Sequence, residues 1–427
     1  MLEIYFETYG CTANYNSTEI MKGLVKQAGL NITSSIDFAD LIIINSCIVK
    51  EPTEEKIRRR ILDLLKQKNK IILAGCMSRL NKNTFNQKNL FLLDTTQIKN
   101  IVNLILDIQN KTYDRKKYLK KRNEIKSALP KLSKEKFKGI NQISEGCLGE
   151  CEYCIVRLAK GKLFSYPKEK IISSIKNDIS AGCKEIWITS QDNAAYDNEN
   201  KKHSLSELLN EIIQLKGNFF IRLGMMNPNN VLKILPELIE IYKNKKMFKF
   251  LHIPIQSGSD KILKSMNRKY SKKDVLKIIE KFKKEFPEMH ISTDVIVGFP
   301  GETEKDFQET FDLIKIIKPE TINISKFWPR QGTPAANLKN QISSKIKKLR
   351  ATKLAKLHKE ICIENQKKYQ NWQGKVLADQ KGFENTYLAR DKNYKLFAVH
   401  SKQNILGKIV KVRVKKTAYH YLISEVI

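Results

Sequence analysis

Six short apolar runs between Ile140 and Phe327 are separated by longer stretches of helical periodicity, and this alternation constrains the fold more than any other feature of the 427 residues. The runs read INQIS, KEIWITS, FFIRLGM, FKFLHIPIQ, HISTDVIVG and TINISKF, with segments such as KEKIISSIKNDISAG and SKKDVLKIIEKFKKEF between them. A strand that returns parallel to its neighbour needs a crossover of a dozen or more residues, which a helix supplies. Six such units imply an α/β domain over about 138–340, a barrel or partial (β/α)6 barrel with its chemistry at the carboxyl ends of the strands.

Residues 1–110 repeat the alternation on a smaller scale. LEIYFET, LIIIN and KIILAG are separated by NSTEIMKGLVKQAG and PTEEKIRRRILDLLKQK, with Pro52 suited to a first helical turn. An open parallel sheet is expected. Residues 111–137 hold eleven Lys/Arg against three Asp/Glu and little apolar content, the composition of a basic linker. After the barrel segment, 341–371 read as a basic helical connector. Residues 372–427 fall into short alternating segments, a small all-β barrel. From Gln366 onward there are thirteen Lys/Arg and four Asp/Glu, and the whole chain carries a formal charge of +33. That excess points to a polyanionic partner, most often nucleic acid. Tyr387, Tyr394, Phe397, Tyr419 and Tyr421 are interleaved among the basic residues; exposed ones would stack on unpaired bases, and at least half are expected to fill the barrel core. No apolar run reaches the length of a membrane span, and MLEIYFETYG lacks the basic-then-apolar layout of a signal peptide. A cytoplasmic protein with no membrane partner is expected.

Eight cysteines are too sparse in this chain for a disulfide scaffold, and in a reducing compartment clustered thiols more often bind metal or do chemistry. Cys147, Cys151 and Cys154 lie on one loop, in GCLGECEYC, where Gly146 and Gly149 break any helix and let the backbone curl three sulfurs around one object. Structural zinc wants four ligands, and the six histidines (His203, His252, His290, His358, His400 and His420) are all distant in sequence. A 4Fe–4S cube held by three thiolates fits better and leaves one iron open. Cys11, Cys47 and Cys76 each fall close to the end of a predicted strand. In a parallel sheet those ends share one edge, so the three should converge there, unless they are simply small buried hydrophobes. Cys183 and Cys362 lie in helical contexts and read as core residues.

The Cys-x3-Cys-x2-Cys loop resembles the signature of radical S-adenosylmethionine (SAM) enzymes. With three N-terminal cysteines and a basic C-terminal barrel, the chain is similar over essentially its whole length to the radical SAM methylthiotransferases. Matching segments are SQDNAAY (190–196), RLGMMNP (222–228), HIPIQSGSDKILKSMNRKY (252–270), TDVIVGFPGETEKDF (293–307) and PRQGTPA (329–335). The resemblance implies an N-terminal domain with an auxiliary 4Fe–4S cluster on Cys11, Cys47 and Cys76, a radical SAM barrel with a second 4Fe–4S cluster on Cys147, Cys151 and Cys154, and a C-terminal TRAM domain that grips the substrate. It implies SAM as cosubstrate and no side-chain acid or base. Gln191, Asp192, Gln256, Gly298 and Gly301 are its candidate contacts to SAM or substrate. His252 is expected to be a hydrogen-bonded core residue, and Trp328 to pack the barrel mouth.

Within the family the substrate is isopentenyladenosine in tRNA, threonylcarbamoyladenosine in tRNA, or an aspartate of a ribosomal protein. A basic ribosomal protein would be repelled by the C-terminal charge, whereas a tRNA anticodon stem-loop would be attracted. GCLGECEYCIVRLAKGKLFSYP is most similar to the archaeal and eukaryotic threonylcarbamoyladenosine type, with Lys160 where an Arg is usual and Asn193 where a Thr is common. The expected reaction is methylthiolation of carbon 2 of threonylcarbamoyladenosine at position 37, with an electron donor and a sulfur source supplied by other molecules. A cation should then meet the threonylcarbamoyl carboxylate, and Arg222 and Arg330 are the candidates. A reading from another class, a non-catalytic iron–sulfur RNA-binding or redox-sensing protein, is disfavoured because structural clusters are usually closed by four cysteines.

Overall fold

The computed structural model describes residues 2–49, 51–80, 87–133, 135–200 and 204–427; His203 lies outside them. In the first unit β1 (Glu3–Thr8), β2 (Asn31–Ile32), β3 (Leu41–Ser46), β4 (Lys70–Gly75) and β5 (Leu90–Leu92) form a parallel sheet in the order β2-β1-β3-β4-β5. β3, LIIINS, is buried along its whole length, as a central strand covered on both faces must be. On one face Ile20, Met21 and Val25 of helix α1 (Thr12–Gln27) pack on Ile4, Ile43 and Ile72. On the other, Ile57, Ile61 and Leu64 of α2 (Glu51–Lys66) pack on Ile42, Ile44, Ile71 and Leu73. α3 (Cys76–Leu80) and α4 (Ile101–Gln109) complete the layers.

The expected basic linker, 111–137, is a packed strap. It contains α5 (Arg115–Leu119), whose Tyr118 is fully buried. Lys126 is buried; its Nζ donates to the Thr95 carbonyl at 2.8 Å and to Glu145 at 2.9 Å. Lys131 Nζ donates to Asp178 at 2.7 Å and to the Ile140 carbonyl at 3.0 Å. Composition marks these lysines as solvated, but each finds a carboxylate contributed by the barrel.

The middle unit contains all six expected strands. They are β6 (Lys138–Gln142), β9 (Glu185–Thr189), β10 (Phe220–Leu223), β11 (Phe250–His252), β12 (His290–Val297) and β13 (Thr321–Lys326), with a short antiparallel pair, β7 (Ser144–Glu145) and β8 (Phe164–Ser165), beside the cysteine loop. β6-β9-β10 and β11-β12-β13 are parallel triplets joined through an Ile221–Met247 bridge, and β13 does not pair with β6. The result is a partial barrel. Ile186, Ile188, Ile221, Leu223, Leu251 and Ile291 pack outward against the helices.

The helix Ser344–Lys367 leads into β14 (Gln373–Lys381), β15 (Thr386–Arg390), β16 (Leu396–His400), β17 (Ile409–Thr417) and β18 (Leu422–Val426), which close into a five-stranded barrel. Its core takes Tyr387, Phe397, Val399, Val412 and Val414. Tyr394 leaves that core and packs against Phe248 and Phe250, at the amino end of β11. Lys249 N–H also donates to the Lys392 carbonyl at 2.9 Å. The small barrel is thus docked against the amino ends of the strands. Of the five aromatics singled out there, Tyr387, Tyr394 and Phe397 are buried, while Tyr421 is exposed. No helix among the described residues is long and apolar enough to cross a membrane.

Candidate functional site

Cys11 caps α1 just after β1, Cys47 follows β3 directly, and Cys76 follows β4 as the first residue of α3. β1, β3 and β4 are successive strands of the sheet, so the three thiols stand on neighbouring strand ends, spaced by roughly 4.8 Å per strand. Two glycines permit this. A Cβ on Gly10 (φ +111°) would lie 2.6 Å from Cys47 Cβ, and one on Gly75 (φ +85°) would lie 2.4 Å from the Ser46 carbonyl oxygen. Asn14 ties the edge together, donating to the Tyr9 carbonyl at 2.8 Å and the Ser46 carbonyl at 2.9 Å.

The second set follows β7. Gly146, at φ +78°, has no room for a Cβ beside the Lys162 carbonyl oxygen, 2.1 Å away. Its N–H donates to Gln191 Oε1 at 2.8 Å, and the Gly149 N–H points at Cys147 Sγ at 3.2 Å. Asn267 Nδ2 donates to the Glu150 carbonyl at 2.8 Å. Arg268 Nη1 donates to Cys151 Sγ at 3.2 Å, its Nε to Tyr270 Oη at 2.9 Å, and its Nη2 to Asn227 Oδ1. Asp192 accepts from Asn227 N at 3.0 Å and Asn230 Nδ2 at 2.8 Å. A continuous polar frame therefore holds the cysteine loop against the ends of β9 and β10.

The segments that carry the two sets meet through α3 and the helix after the second set. α6 (Val156–Lys160) begins two residues after Cys154 and packs on α3, where Ile48, Cys76, Ile155 and Ala159 form one buried cluster. Burial pushes the Cys76 and Cys147 thiols up to about 12 and raises Cys47 and Cys154 as well. The thiolate is the ligand form. These sulfurs reach it only with a strong positive centre beside them. Among the described residues no three Cys, His, Asp or Glu side chains gather closely enough for a single metal ion. Each set offers three thiols, the donor complement of a 4Fe–4S cube with one open iron.

The tentative contact residues are placed unevenly. Gln191 positions the cysteine loop, and Asp192 is 2% exposed with its carboxylate already bonded. Gln256 sits at φ +61° where the chain leaves the β11 direction, with its backbone bonded to Asp294 and Ile296. A Cβ on Gly298 would meet Lys347 at 2.4 Å, so that glycine makes room for protein; Gly301 (φ +80°) borders open space. His252 is hydrogen-bonded, to Asp294 at 2.7 Å, but half-buried rather than part of the core.

Neither arginine stands free at the mouth. Arg222 lies inside the barrel, its guanidinium 4.5 Å from the Trp187 ring centroid and 4.6 Å from that of Phe250, with Tyr394 beyond. It is the third of the four residues of β10, and its side chain lies on the opposite face from Ile221 and Leu223, turned into the barrel. Arg330 is buried and committed to the first unit, donating to the Ile48 carbonyl and to Glu54 at 2.5 Å. Sequence reasoning missed Arg268, although MNRKY lay inside a matching segment. It also missed Lys126 and Glu145, whose pairing has no local signal.

Residues 3–93 match a family model described as uncharacterized protein family UPF0004, and residues 141–314 match the radical SAM superfamily. The chain is 40% identical over 428 residues to the probable threonylcarbamoyladenosine tRNA methylthiotransferase of Pyrococcus horikoshii, with 100% of each covered. It is 33% identical over 427 residues to the human threonylcarbamoyladenosine tRNA methylthiotransferase, covering 98% of this chain and 73% of that one. Among solved structures, its fold is similar to that of the radical SAM methyltransferase TsrM from Kitasatospora setae, with a TM-score of 0.58 at 11% identity, covering 79% of this chain and 75% of that one. Full-length likeness at these identities, on a barrel that carries the three-cysteine loop, leads to one conclusion: the chain belongs to the threonylcarbamoyladenosine tRNA methylthiotransferase family, within the radical SAM superfamily.

Proposed function

We infer that the protein methylthiolates carbon 2 of threonylcarbamoyladenosine at position 37 of tRNA, with a 4Fe–4S cluster on Cys147, Cys151 and Cys154, SAM, and a second 4Fe–4S cluster on Cys11, Cys47 and Cys76. The observation that carries this reading is the meeting of the two cysteine sets: Cys76 and Ile155, next to Cys154, share one buried cluster at the carboxyl ends of two parallel sheets. Bound there, these groups supply radical hydrogen abstraction and a sulfur donor, which side-chain acids and bases cannot provide for a carbon that is neither acidic nor nucleophilic.

The chain's own residues position and shield. Gln191 fixes the start of the cysteine loop at Gly146 and Arg268 its middle at Cys151. Ile48, Ile155 and Ala159 keep water from the seam between the sites. Lys411, Arg413, Lys415 and Lys416 are exposed on β17, whose valines 412 and 414 point into the small barrel, and this basic strip suits the backbone of an anticodon stem-loop. Other molecules supply the electron and the sulfur that reaches the auxiliary cluster. Arg330 is committed to Glu54 and the Ile48 carbonyl, which leaves Arg222, inside the barrel with its Nε unbonded, as the candidate cation for the threonylcarbamoyl carboxylate.

The test offers anaerobically reconstituted protein, with dithionite and SAM, tRNAs carrying either threonylcarbamoyladenosine or isopentenyladenosine, and reads the nucleosides by mass spectrometry. Methylthiolation of the first tRNA is expected. Modification of the isopentenyl tRNA alone would overturn the substrate, and no release of 5′-deoxyadenosine would overturn the chemistry.

A further inference from the structure

Between the two cysteine sets lies a buried row of charges that positioning the loop does not require. Lys160, the last residue of α6, is 3% exposed; its Nζ donates to Glu145 Oε1 at 2.8 Å and to Thr95 Oγ1 at 3.4 Å. Lys126, 1% exposed, pairs with the same carboxylate at 2.9 Å. Glu124 lies within electrostatic range of Lys126 on the far side, held by Lys99 N at 3.2 Å and Asn100 Nδ2 at 3.4 Å. Asp94, the other nearby carboxylate, pairs with Arg79 at 3.3 Å. The signs alternate along the row: Glu124, Lys126, Glu145, Lys160. Three units supply it, since Lys126 comes from the strap, Thr95 from the first unit, and Glu145 and Lys160 from the barrel.

The positive end of this row is turned toward Cys76 and Cys11. Ala159, the neighbour of Lys160, packs on Cys76, and Arg79 of α3 donates to the Ala159 carbonyl at 3.3 Å. The Lys160 ammonium interacts with both thiols as well as with Glu145. A buried ammonium is costly unless it is fully compensated. Glu124 and Glu145 together offset the two ammoniums of the row, and Lys160 is the member that also interacts with the thiols. Three thiolates on a 4Fe–4S cube in its oxidised (2+) form carry one net negative charge.

We propose that Lys160, anchored by Glu145 and Lys126, is a positioning residue whose fixed charge sets the reduction potential of the cluster on Cys11, Cys47 and Cys76. This rests on the cluster assignment made above. Net charge and hydrogen bonding around the sulfurs set such potentials. A nearby cation favours the reduced, more negative state, and removing it shifts the equilibrium toward the oxidised one.

The experiment uses full-length protein with Cys147, Cys151 and Cys154 replaced by Ala, so that only the auxiliary site can load. Iron content is measured first, and the midpoint potential then by dye-mediated titration followed by electron paramagnetic resonance. In this background Lys160→Met is expected to disfavour reduction at least tenfold, a fall of about 59 mV for one electron. Glu145→Gln removes the opposite charge and is expected to shift the potential upward. Lys160→Arg is expected to stay near the parent value. Opposite shifts cannot arise from a general packing defect. If the parent fails to bind about four irons, the cluster assignment itself fails. If it loads and the charge variants keep its potential, or all shift the same way, the role of Lys160 is overturned.

Discussion

Gly23 sits inside α1, where replacing glycine by alanine ordinarily stabilises a helix by about 1 kcal/mol. The structure reverses that expectation. A Cβ at Gly23 would lie 2.3 Å from the Pro130 carbonyl oxygen, 2.5 Å from its carbon and 2.7 Å from Lys131 N. The obstacle is backbone, which cannot rotate away, and it must retreat by about 1 Å to reach ordinary contact near 3.5 Å. Over-packing of this kind costs about 1–3 kcal/mol. The retreating residue is Lys131, whose ammonium is held by Asp178 at 2.7 Å, and separating a buried pair is costlier still. Net destabilisation of the strap by about 2 kcal/mol is expected for Gly23→Ala once the helix gain is subtracted. A chain of three packed units need not unfold in one step, so the effect should be read locally. Amide exchange over residues 125–133 and tryptic cleavage after Lys126 and Lys131 should accelerate about 30-fold, at about 1.4 kcal/mol per factor of ten. Unchanged or slower exchange in the strap would refute the packing argument and leave helix propensity as the dominant effect.

Replacing Cys147, Cys151 and Cys154 by Ala should halve the iron bound after reconstitution, from about eight per chain, and abolish release of 5′-deoxyadenosine. Replacing Cys11, Cys47 and Cys76 should leave that release intact while ending methylthiolation of tRNA. Asp306 gives a pH dependence: burial opposes its charge, but hydrogen bonds from Thr303, Ser259 and Lys261 hold its carboxyl well below the usual range. A depressed folded value stabilises above the unfolded pKa of about 3.9 and is lost as pH falls below it, so thermal unfolding from pH 5 to pH 3 should be less pH-dependent in Asp306→Asn. Replacing Lys411, Arg413 and Lys416 by Gln should weaken tRNA binding and flatten log K against log salt by about 0.7–0.9 per lost phosphate contact; an unchanged slope would move the RNA elsewhere.

What the sequence revealed and what it hid divide along the range of the interaction. All six barrel strands were legible because a buried parallel strand needs a run of apolar residues, a local property. Two stop furthest short of their runs: β10 ends before Gly224, and β11 ends before Pro254 and the left-handed Gln256. The placement of Cys11, Cys47 and Cys76 along one sheet edge was legible too, because parallel topology alone puts strand ends there. The strap was misread because Lys126 and Lys131 look like any other lysines until Glu145 and Asp178 stand beside them. Arg222 and Arg330 were correctly placed near strand ends, but nothing local told that aromatic rings and Glu54 would claim them. Phe383, 83% exposed on the small barrel, escaped notice because a turn has no periodicity to mark which side chains face out.

The docking of Tyr394 beneath the partial barrel has a geometric consequence. The small barrel is keyed into one end of the strands by Tyr394 against Phe248 and Phe250, while both thiol sets open at the other. The protein then has the build of a caliper. In the proposed reading one jaw is the basic strip of Lys411 and Arg413, the other the two thiol sets, and the larger barrel lies between them. An RNA seated on the first jaw presents to the second only the nucleotide that lies the right span away. On that reading, selection of a single adenosine would be a measurement of length.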